Sequence, residues 1–282
     1  MNLGLRDRFR SALVGTYLAE FRFGASSKAR LNLSALTRQA IPPKLQAHDP
    51  ADQLVELVPW LLQTYGQNYS PPDPQNKASV IGCMAGETQQ MVKLLAWSLE
   101  HLLDHRPSQT LLASLSQRLP PDSPGATQAK SMVALLDKEL KRGPQGIEYS
   151  PIAPLRMVQF QVPELLPIGV ALYSFLRVPE SYGLAVKYAF NRTHSSAIAA
   201  LTGLLAGAKG GVSQMPIPWL IAWLTAVGAS SGLTKLDLIQ GEGLADLWSR
   251  LDAPFYQWMG SPITPMTREV PAQPPVRPLP SI

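Results

Sequence analysis

The sequence predicts an all-α fold. Apolar residues recur at helical spacing in most segments, and the alternating pattern of half-buried strands is nowhere sustained. Hydrophobic residues make up 45% of the chain and charged residues 16%, which is typical of a well-buried globular protein. A chain of 282 residues is long enough for one large helical domain. We therefore expect one compact multi-helix domain over residues 1–260, followed by an extended tail over 261–282.

The first predicted helix covers Asp7–Glu20 and has one apolar stripe. Glu20 falls on this stripe, where an unpaired carboxylate is costly unless a cation or hydrogen-bond donors meet it. The alternative is an ion pair with Arg22, Arg10 or another basic side chain. Glu20 is therefore a candidate site residue. The stripe consists of Phe9, Ala12, Leu13, Thr16 and Tyr17.

The helix predicted over 87–105 has the clearest apolar stripe of the chain. Glu87 precedes this stripe, where helix capping alone explains a carboxylate and a binding role is the alternative. Pro59 and Pro167 are expected to kink two other helices. Segments 67–79 and 142–159, rich in Pro, Gly, Asn and Asp, are predicted loops. The remaining helices are expected at about 51–66, 108–118, 126–141, 163–176, 179–190, 195–208, 217–229 and 243–258.

A smooth face is predicted on the helix over 195–208. Ala199, Gly203 and Gly207 recur every four residues, so another helix can approach closely there. Before this helix, Asn191, Thr193 and Ser195 are all competent N-caps. His194 with Ser195 and Ser196 is better explained as a polar helix start than as a nucleophilic site, because no acid is spaced to orient the imidazole.

Charge and composition limit the class of partner. Residues 1–50 hold eight Lys or Arg against three acids, which predicts a solvated face or a docking surface for an acidic partner. No aromatic residues interleave with these charges, so nucleic acid is not expected. The tail over 261–282 contains seven prolines, and Pro271–Pro274 and Pro275–Pro278 fit the spacing that polyproline-binding domains recognise. An ordinary disordered terminus is the favoured explanation of this tail, because such spacing arises by chance in any Pro-rich segment.

The cellular setting is predicted from the same composition. Cys83 is the single cysteine, so no internal disulfide can form. The apolar stretches 197–208 and 216–229 are shorter than the ~20 residues that span a bilayer. Neither a secretory leader, a zinc motif, a phosphate loop nor a dinucleotide fingerprint is recognisable. We expect a cytoplasmic protein without a membrane partner.

Three segments together resemble the ADP-ribosylglycohydrolase family. The first is Asp7-Arg-Phe-Arg-Ser-Ala-Leu-Val-Gly15, which leads to Ala19-Glu20 where the family has Gly-Asp. The second, Gly86-Glu-Thr-Gln-Gln-Met91, is similar to the family's Thr-Asp-Asp-Thr-Gln-Met run. The third extends from Val162 to Gly207 and is similar to the family's C-terminal half, in which a Gly-Gly-Asp-Thr-Asp-Thr run precedes a helix.

The resemblance implies two Mg²⁺ ions held by Asp residues of these motifs. Glu20 and Glu87 keep a carboxylate at two of the five positions, whereas Thr88, His194 and Ser196 stand at the other three. Two hard cations need more negative charge than two carboxylates supply. We expect no cofactor, with Mg²⁺ as the alternative. The remnant cleft is expected to involve Glu20, Glu87, Thr88, Asn191, His194, Ser195 and Ser196.

The leading hypothesis is a non-catalytic relative, a pseudoenzyme that binds a partner protein or an ADP-ribose-like ligand. The basic N-terminal region or the Pro-rich tail would contact the partner protein. The runner-up is an active hydrolase of ADP-ribosyl-protein or similar glycosidic bonds with altered metal use. The third hypothesis is a structural or assembly role.

Overall fold

The all-α prediction is confirmed over the residues that the structure describes. The structure is a computed structural model and describes residues 4–24, 49–63, 86–119, 124–141 and 165–230. Helices account for most of these ranges, and no strand occurs in them. The helices are α1 (Leu5–Phe23), α2 (Pro50–Gln63), α3 (Gly86–Leu103), α4 (Leu111–Arg118), α5 (Pro124–Lys141), α6 (Leu166–Arg177), α7 (Tyr182–Thr193), α8 (Ser196–Gly210) and α9 (Ile217–Ser230).

Helix α8 is the centre of the described bundle. Its residues are buried on all sides from Ala197 to Ala208. It packs against α1, α2, α3, α6 and α7. A helix that is apolar around its whole circumference belongs in a core, so its neighbours shield it from water on every side.

The closest helix contact is an antiparallel crossing of α1 and α8. A Cβ atom added at Gly203 would lie 2.3 Å from the Gly15 carbonyl oxygen, and one at Gly207 would lie 2.2 Å from the Ser11 carbonyl oxygen. Because these distances are far below van der Waals contact, each position has room only for the hydrogen atom of glycine. The predicted smooth face of α8 is therefore confirmed, and the backbone of α1 is what lies against it.

The antiparallel course gives the bundle two distinct ends. The end of α1 lies beside the start of α8, and the start of α1 lies beside the end of α8. At the latter end, the Arg8 guanidinium donates to the Leu102 carbonyl oxygen in the last turn of α3. Helix α3 therefore runs parallel to α8, and both begin at the same end of the bundle.

Two remaining predictions concern prolines and segment boundaries. Pro59 lies inside α2, as predicted. Pro167 lies in the first turn of α6, where proline starts a helix because its missing N–H costs no hydrogen bond. The predicted helix over 243–258, both predicted loops and the Pro-rich tail lie outside the described residues. In the described part of the chain, no helix combines the length and the apolar character needed to cross a bilayer.

Candidate ligand-binding cleft

A cleft of about 330 Å³ opens at the end of the bundle where α3 and α8 begin. Its lining comes from four helices and from the corner between α7 and α8. The lining residues are Asp49, Pro50, Ala51, Thr88, Met91, Leu166, Pro167, Thr193, Ser195 and Ile198.

Four helices present their first turns to this cleft. Pro50 and Ala51 begin α2, Thr88 lies in the first turn of α3, Pro167 lies in the first turn of α6, and Ser195 caps α8. The first backbone N–H groups of a helix have no partner within the helix and carry the positive end of its dipole. Their convergence favours a negatively charged group, and phosphates are the anions most often held in this way.

Two lining side chains fix the corner between α7 and α8. The Ser195 Oγ accepts a hydrogen bond from the Ile198 N–H at 3.3 Å, which makes Ser195 the N-cap of α8. The Thr193 hydroxyl donates to the Ala189 carbonyl at 3.0 Å and its oxygen accepts from the Ser195 N–H at 3.2 Å. Both hydroxyl groups therefore hold the backbone at the rim of the cleft.

Thr88 is the lining hydroxyl most available to a ligand. The residue is 8% exposed, and it faces the cleft from the first turn of α3. The hydrogen bonds among the described residues involve the Thr193 and Ser195 hydroxyls but not the Thr88 hydroxyl. A hydroxyl that can both donate and accept is suited to a phosphate or sugar oxygen.

Asp49 adds a carboxylate that the sequence-based prediction missed. One of its oxygens, Oδ1, accepts from the Ala51 N–H at 2.7 Å, so Asp49 caps α2. The signal in the sequence was Asp49 followed by Pro50, a capping residue before a proline at a helix start. That signal marks the start of α2 but does not indicate which other helix starts lie beside it.

The predicted site residues divide between the cleft and its surroundings. Thr88 and Ser195 line the cleft together. Glu87 belongs to the first turn of α3, and its side chain lies outside the described part of the structure. Ser196 is the first residue of α8 and does not line the cleft. Of the three predicted N-caps of α8, only Ser195 has that role.

The residues just before Ser195 belong to α7. Asn191 is exposed in its last turn and does not line the cleft. His194 ends the helix in a left-handed conformation, with φ 53°, and its N–H donates to the Phe190 carbonyl at 2.7 Å. Its exposed ring meets the Phe190 ring edge to face at 6.0 Å. The polar start predicted from His194, Ser195 and Ser196 is therefore confirmed for the two serines and wrong for His194, because His194 is the C-cap of α7.

Glu20 lies in the last turn of α1, at the same end of the bundle, without lining the cleft. Its charge acts on Tyr17, which is 9% exposed. Burial raises the pKa of the Tyr17 hydroxyl well above its ordinary value, and the negative charge of Glu20 raises it further. Burial is thus the main cause of the raised pKa of Tyr17, and the Glu20 carboxylate adds to it.

The described lining does not fit two Mg²⁺ ions. Asp49 is the one carboxylate among the described lining residues, and three hydroxyl groups accompany it. Within the described ranges, no cluster of three or more His, Cys, Asp or Glu side chains could hold a metal ion. Because Mg²⁺ binds mainly through carboxylates, water and phosphate oxygens, we derive no metal-dependent step from this cleft.

A second cavity, of about 390 Å³, lies near the ends of α5 and α6. Asp137 and Lys141 at its edge form an ion pair at 2.6 Å, and Arg177 is the other charged lining residue. Helix ends present carbonyl oxygens, which carry the negative end of the dipole. This cavity therefore combines a net positive lining with helix ends of the opposite dipole sign, and none of the predicted site residues lines it.

Comparison of the chain with protein-family models gives no match. Comparison with curated proteins and with solved structures gives no match either. The resemblance to ADP-ribosylglycohydrolases rests on the three sequence segments and stays a prediction.

Proposed function

We propose that this chain is an ADP-ribosylglycohydrolase-like binding protein that holds a phosphate-bearing ligand of the ADP-ribose type without hydrolysing it through two metal ions. The observation that supports this proposal is the position of two motifs. Thr88 of the second segment and Ser195 of the third line the same cleft. The resemblance implies that these segments form one ligand site, and their meeting in this cleft supports the proposal.

The physical character of the cleft favours the phosphate part of such a ligand. The starts of four helices bring partial positive charge to the cleft without a formal cation, and the Ala51 and Ile198 N–H groups among them already donate to Asp49 and Ser195. The volume of about 330 Å³ lies at the lower end of the range typical of small-molecule sites. Met91, Leu166 and Ile198 add apolar walls against which a sugar or base can pack.

Binding without hydrolysis is favoured by the chemistry of the substituted positions. Thr88, His194 and Ser196 cannot supply the negative charge that three Asp residues would supply. His194 and Ser196 also lie away from the cleft lining. Hydrolysis by the family's route would therefore need carboxylates from elsewhere in the chain.

Calorimetric titration with ADP-ribose in the absence of metal tests this function. Thr88→Val removes the hydroxyl at nearly constant volume and is expected to weaken binding about fivefold to tenfold, which corresponds to ~1–1.4 kcal/mol. Ser213→Ala, at an exposed serine outside the cleft, is the matched control and should bind as the unmodified protein does. Failure of the unmodified protein to bind ADP-ribose at millimolar concentration would contradict the proposal.

Asp49→Asn separates the proposed anion site from a cation site. The amide oxygen can still cap α2, but the negative charge is removed. Phosphate binding should become tighter, since a repulsive charge is lost, and the unmodified protein should show no Mg²⁺ or Mn²⁺ binding for the substitution to weaken. If the unmodified protein binds Mg²⁺ or Mn²⁺ and Asp49→Asn binds the ion more weakly, the result would favour the active hydrolase with altered metal use.

Incubation with an ADP-ribosylated peptide and Mg²⁺ completes the test. We expect no release of ADP-ribose. Turnover that Glu20→Ala or Glu87→Ala abolishes would overturn the non-catalytic proposal, because these are the two acids kept at motif positions.

A further inference from the structure

The cavity near the ends of α5 and α6 is lined by an arginine that other described residues leave unengaged. Arg177 is the last residue of α6 and is partly buried. Within the described ranges, its guanidinium forms neither a hydrogen bond nor an ion pair. The helix dipole favours a cation in a last turn, but it does not by itself engage five N–H donors. These donors are therefore available to a ligand in the cavity.

A hydroxyl group lines the same cavity from a different element. Ser108 is 4% exposed and begins the short 3₁₀ helix Ser108–Thr110, which precedes α4. The hydrogen bonds among the described residues do not involve its hydroxyl. The exposed Gln109 beside it adds an amide at the edge of the cavity. Both groups can donate to a ligand oxygen.

The turn that carries Ser108 is fixed by its own hydrogen bonds. The Pro107 carbonyl oxygen accepts from the Thr110 N–H at 3.1 Å and from the Thr110 hydroxyl at 2.8 Å. His101 Nε2 lies 3.0 Å from the same oxygen, and His101 is 3% exposed. The turn is therefore anchored to the core. A ligand loses less conformational entropy on a prepositioned donor than on a mobile one.

The charges around the cavity favour a ligand with one negative charge. Lys141 forms an ion pair with Asp137 at 2.6 Å, so Arg177 supplies the remaining positive charge of the lining. The carbonyl ends of α5 and α6 carry partial negative charge, which opposes a second negative charge on the ligand. A carboxylate matches the planar guanidinium, because its two oxygens can accept from two parallel N–H groups. A phosphate dianion fits this balance of charges less well.

The remaining walls of the cavity are apolar, so the body of the ligand should be apolar as well. The volume of about 390 Å³ lies in the lower part of the range typical of small-molecule sites. The apolar lining residues are Leu112, Leu140, Leu176 and Pro179.

We propose that this cavity binds a small monocarboxylate with an apolar body. The carboxylate accepts from Arg177 and Ser108, and the body packs against the leucine side chains. No described residue lines both this cavity and the cleft between the helix starts. The site is therefore separate from the one proposed for ADP-ribose and does not depend on it.

Calorimetric titration of the full chain with benzoate tests this site. Benzyl alcohol presents a similar ring without the charge, and it should bind at least about tenfold more weakly than benzoate. Arg177→Met should weaken benzoate binding by at least about tenfold, and Ser108→Ala by about fivefold. Lys187→Met removes an exposed cation outside the cavity and is the matched control, which should bind benzoate as the unmodified protein does.

Circular dichroism would establish that each variant is folded. If Arg177→Met does not fold, Arg177→Lys keeps the charge without the two-donor fork and should still weaken benzoate binding by about fivefold. Benzoate affinity unchanged in the folded Arg177 variant would overturn the proposal.

Titrations of the unmodified protein give further outcomes that would overturn it. These are absence of benzoate binding at millimolar concentration, equal affinity for benzyl alcohol, and tighter binding of phenyl phosphate, which is a dianion. Displacement of benzoate by ADP-ribose would assign benzoate to the other cleft and would also overturn it. Benzoate binding that depends on Arg177 supports this site even if ADP-ribose does not bind, so the two proposals can fail separately.

Discussion

Helices α8 and α9 have similar compositions and different positions. Each is dominated by apolar residues, and Lys209 is the one charged residue of α8, whereas α9 has none. Neighbouring helices enclose α8 almost entirely, but the outer half of α9 faces away from the described bundle. The difference lies in residue size. Small residues on α8 admit the backbone of α1, whereas Trp219 and Trp223 on α9 fill the space on one side only.

The largest loss of stability is expected when a methyl group is added to the side of α8 that contacts α1. Gly207→Ala would place a Cβ atom 2.2 Å from the Ser11 carbonyl oxygen, which is backbone and cannot rotate away. We expect a loss of about 4 kcal/mol in the free energy of unfolding, measured with urea. Gly4→Ala is the matched control, because its Cβ would meet nothing nearer than 3.7 Å. Equal stability of the two variants would show that α1 and α8 can separate at little cost.

The next largest loss of stability is expected for a substitution on the inward side of α9. Trp223 is fully buried, so Trp223→Ala leaves a large cavity and is expected to cost about 3 kcal/mol in thermal or urea unfolding. Ser213→Ala, on the exposed turn between α8 and α9, should change stability by less than about 0.5 kcal/mol. A loss in Trp223→Ala no greater than in this control would argue that α9 is not anchored to the bundle.

A smaller effect is expected where α7 meets the α1–α8 crossing. The Tyr182 hydroxyl donates to the Gly15 carbonyl at 2.6 Å, and Tyr182→Phe should cost about 1.5 kcal/mol. Burial raises the pKa of Tyr182 in the fold, whereas the unfolded chain ionises near pH 10. The stabilisation is therefore complete below about pH 10 and is lost as the pH rises further. The free energy of unfolding should fall between pH 8 and pH 11 in the unmodified protein, and it should fall less in Tyr182→Phe. An equal fall in both proteins would count against a buried, neutral Tyr182.

The smallest loss of stability is expected for a substitution at the start of α8. Ser195→Ala removes the Oγ that accepts from the Ile198 N–H, with an expected loss of about 1 kcal/mol, and Ser195→Asp should restore most of it. Ser196→Ala, one position further, is the control and should be nearly neutral. Scanning calorimetry on the three variants checks this order, and a Ser195→Asp variant no more stable than Ser195→Ala would contradict the capping role.

The described helices were largely predictable because their apolar stripes are long. The predicted ranges overlap each observed helix, and boundaries differ by about three residues or fewer. Helix α7 shows why boundaries are harder. It was expected over 179–190 and runs from Tyr182 to Thr193, because a turn closes at Ser181 and because the non-glycine residue His194 takes the left-handed conformation that ends it.

The candidate site was less predictable than the fold. The approach of Thr88 to Ser195 was expected from the order of the three motifs. The contribution of Asp49 was not, since it depends on α2 beginning at the same end of the bundle as α3 and α8. A pattern along the chain marks a helix start, but it does not specify which other starts lie around it in space.

The α1–α8 crossing also has a consequence for the order of events during synthesis. The Tyr182 hydroxyl and the Gly15 carbonyl are separated by 167 positions in the chain. At a ribosomal rate of ~5–20 residues per second, α1 leaves the ribosome roughly 8–33 s before the helices that bury it. The side of α1 that α8 covers therefore stays without its partner during that interval, and the core closes only after most of the protein has been translated.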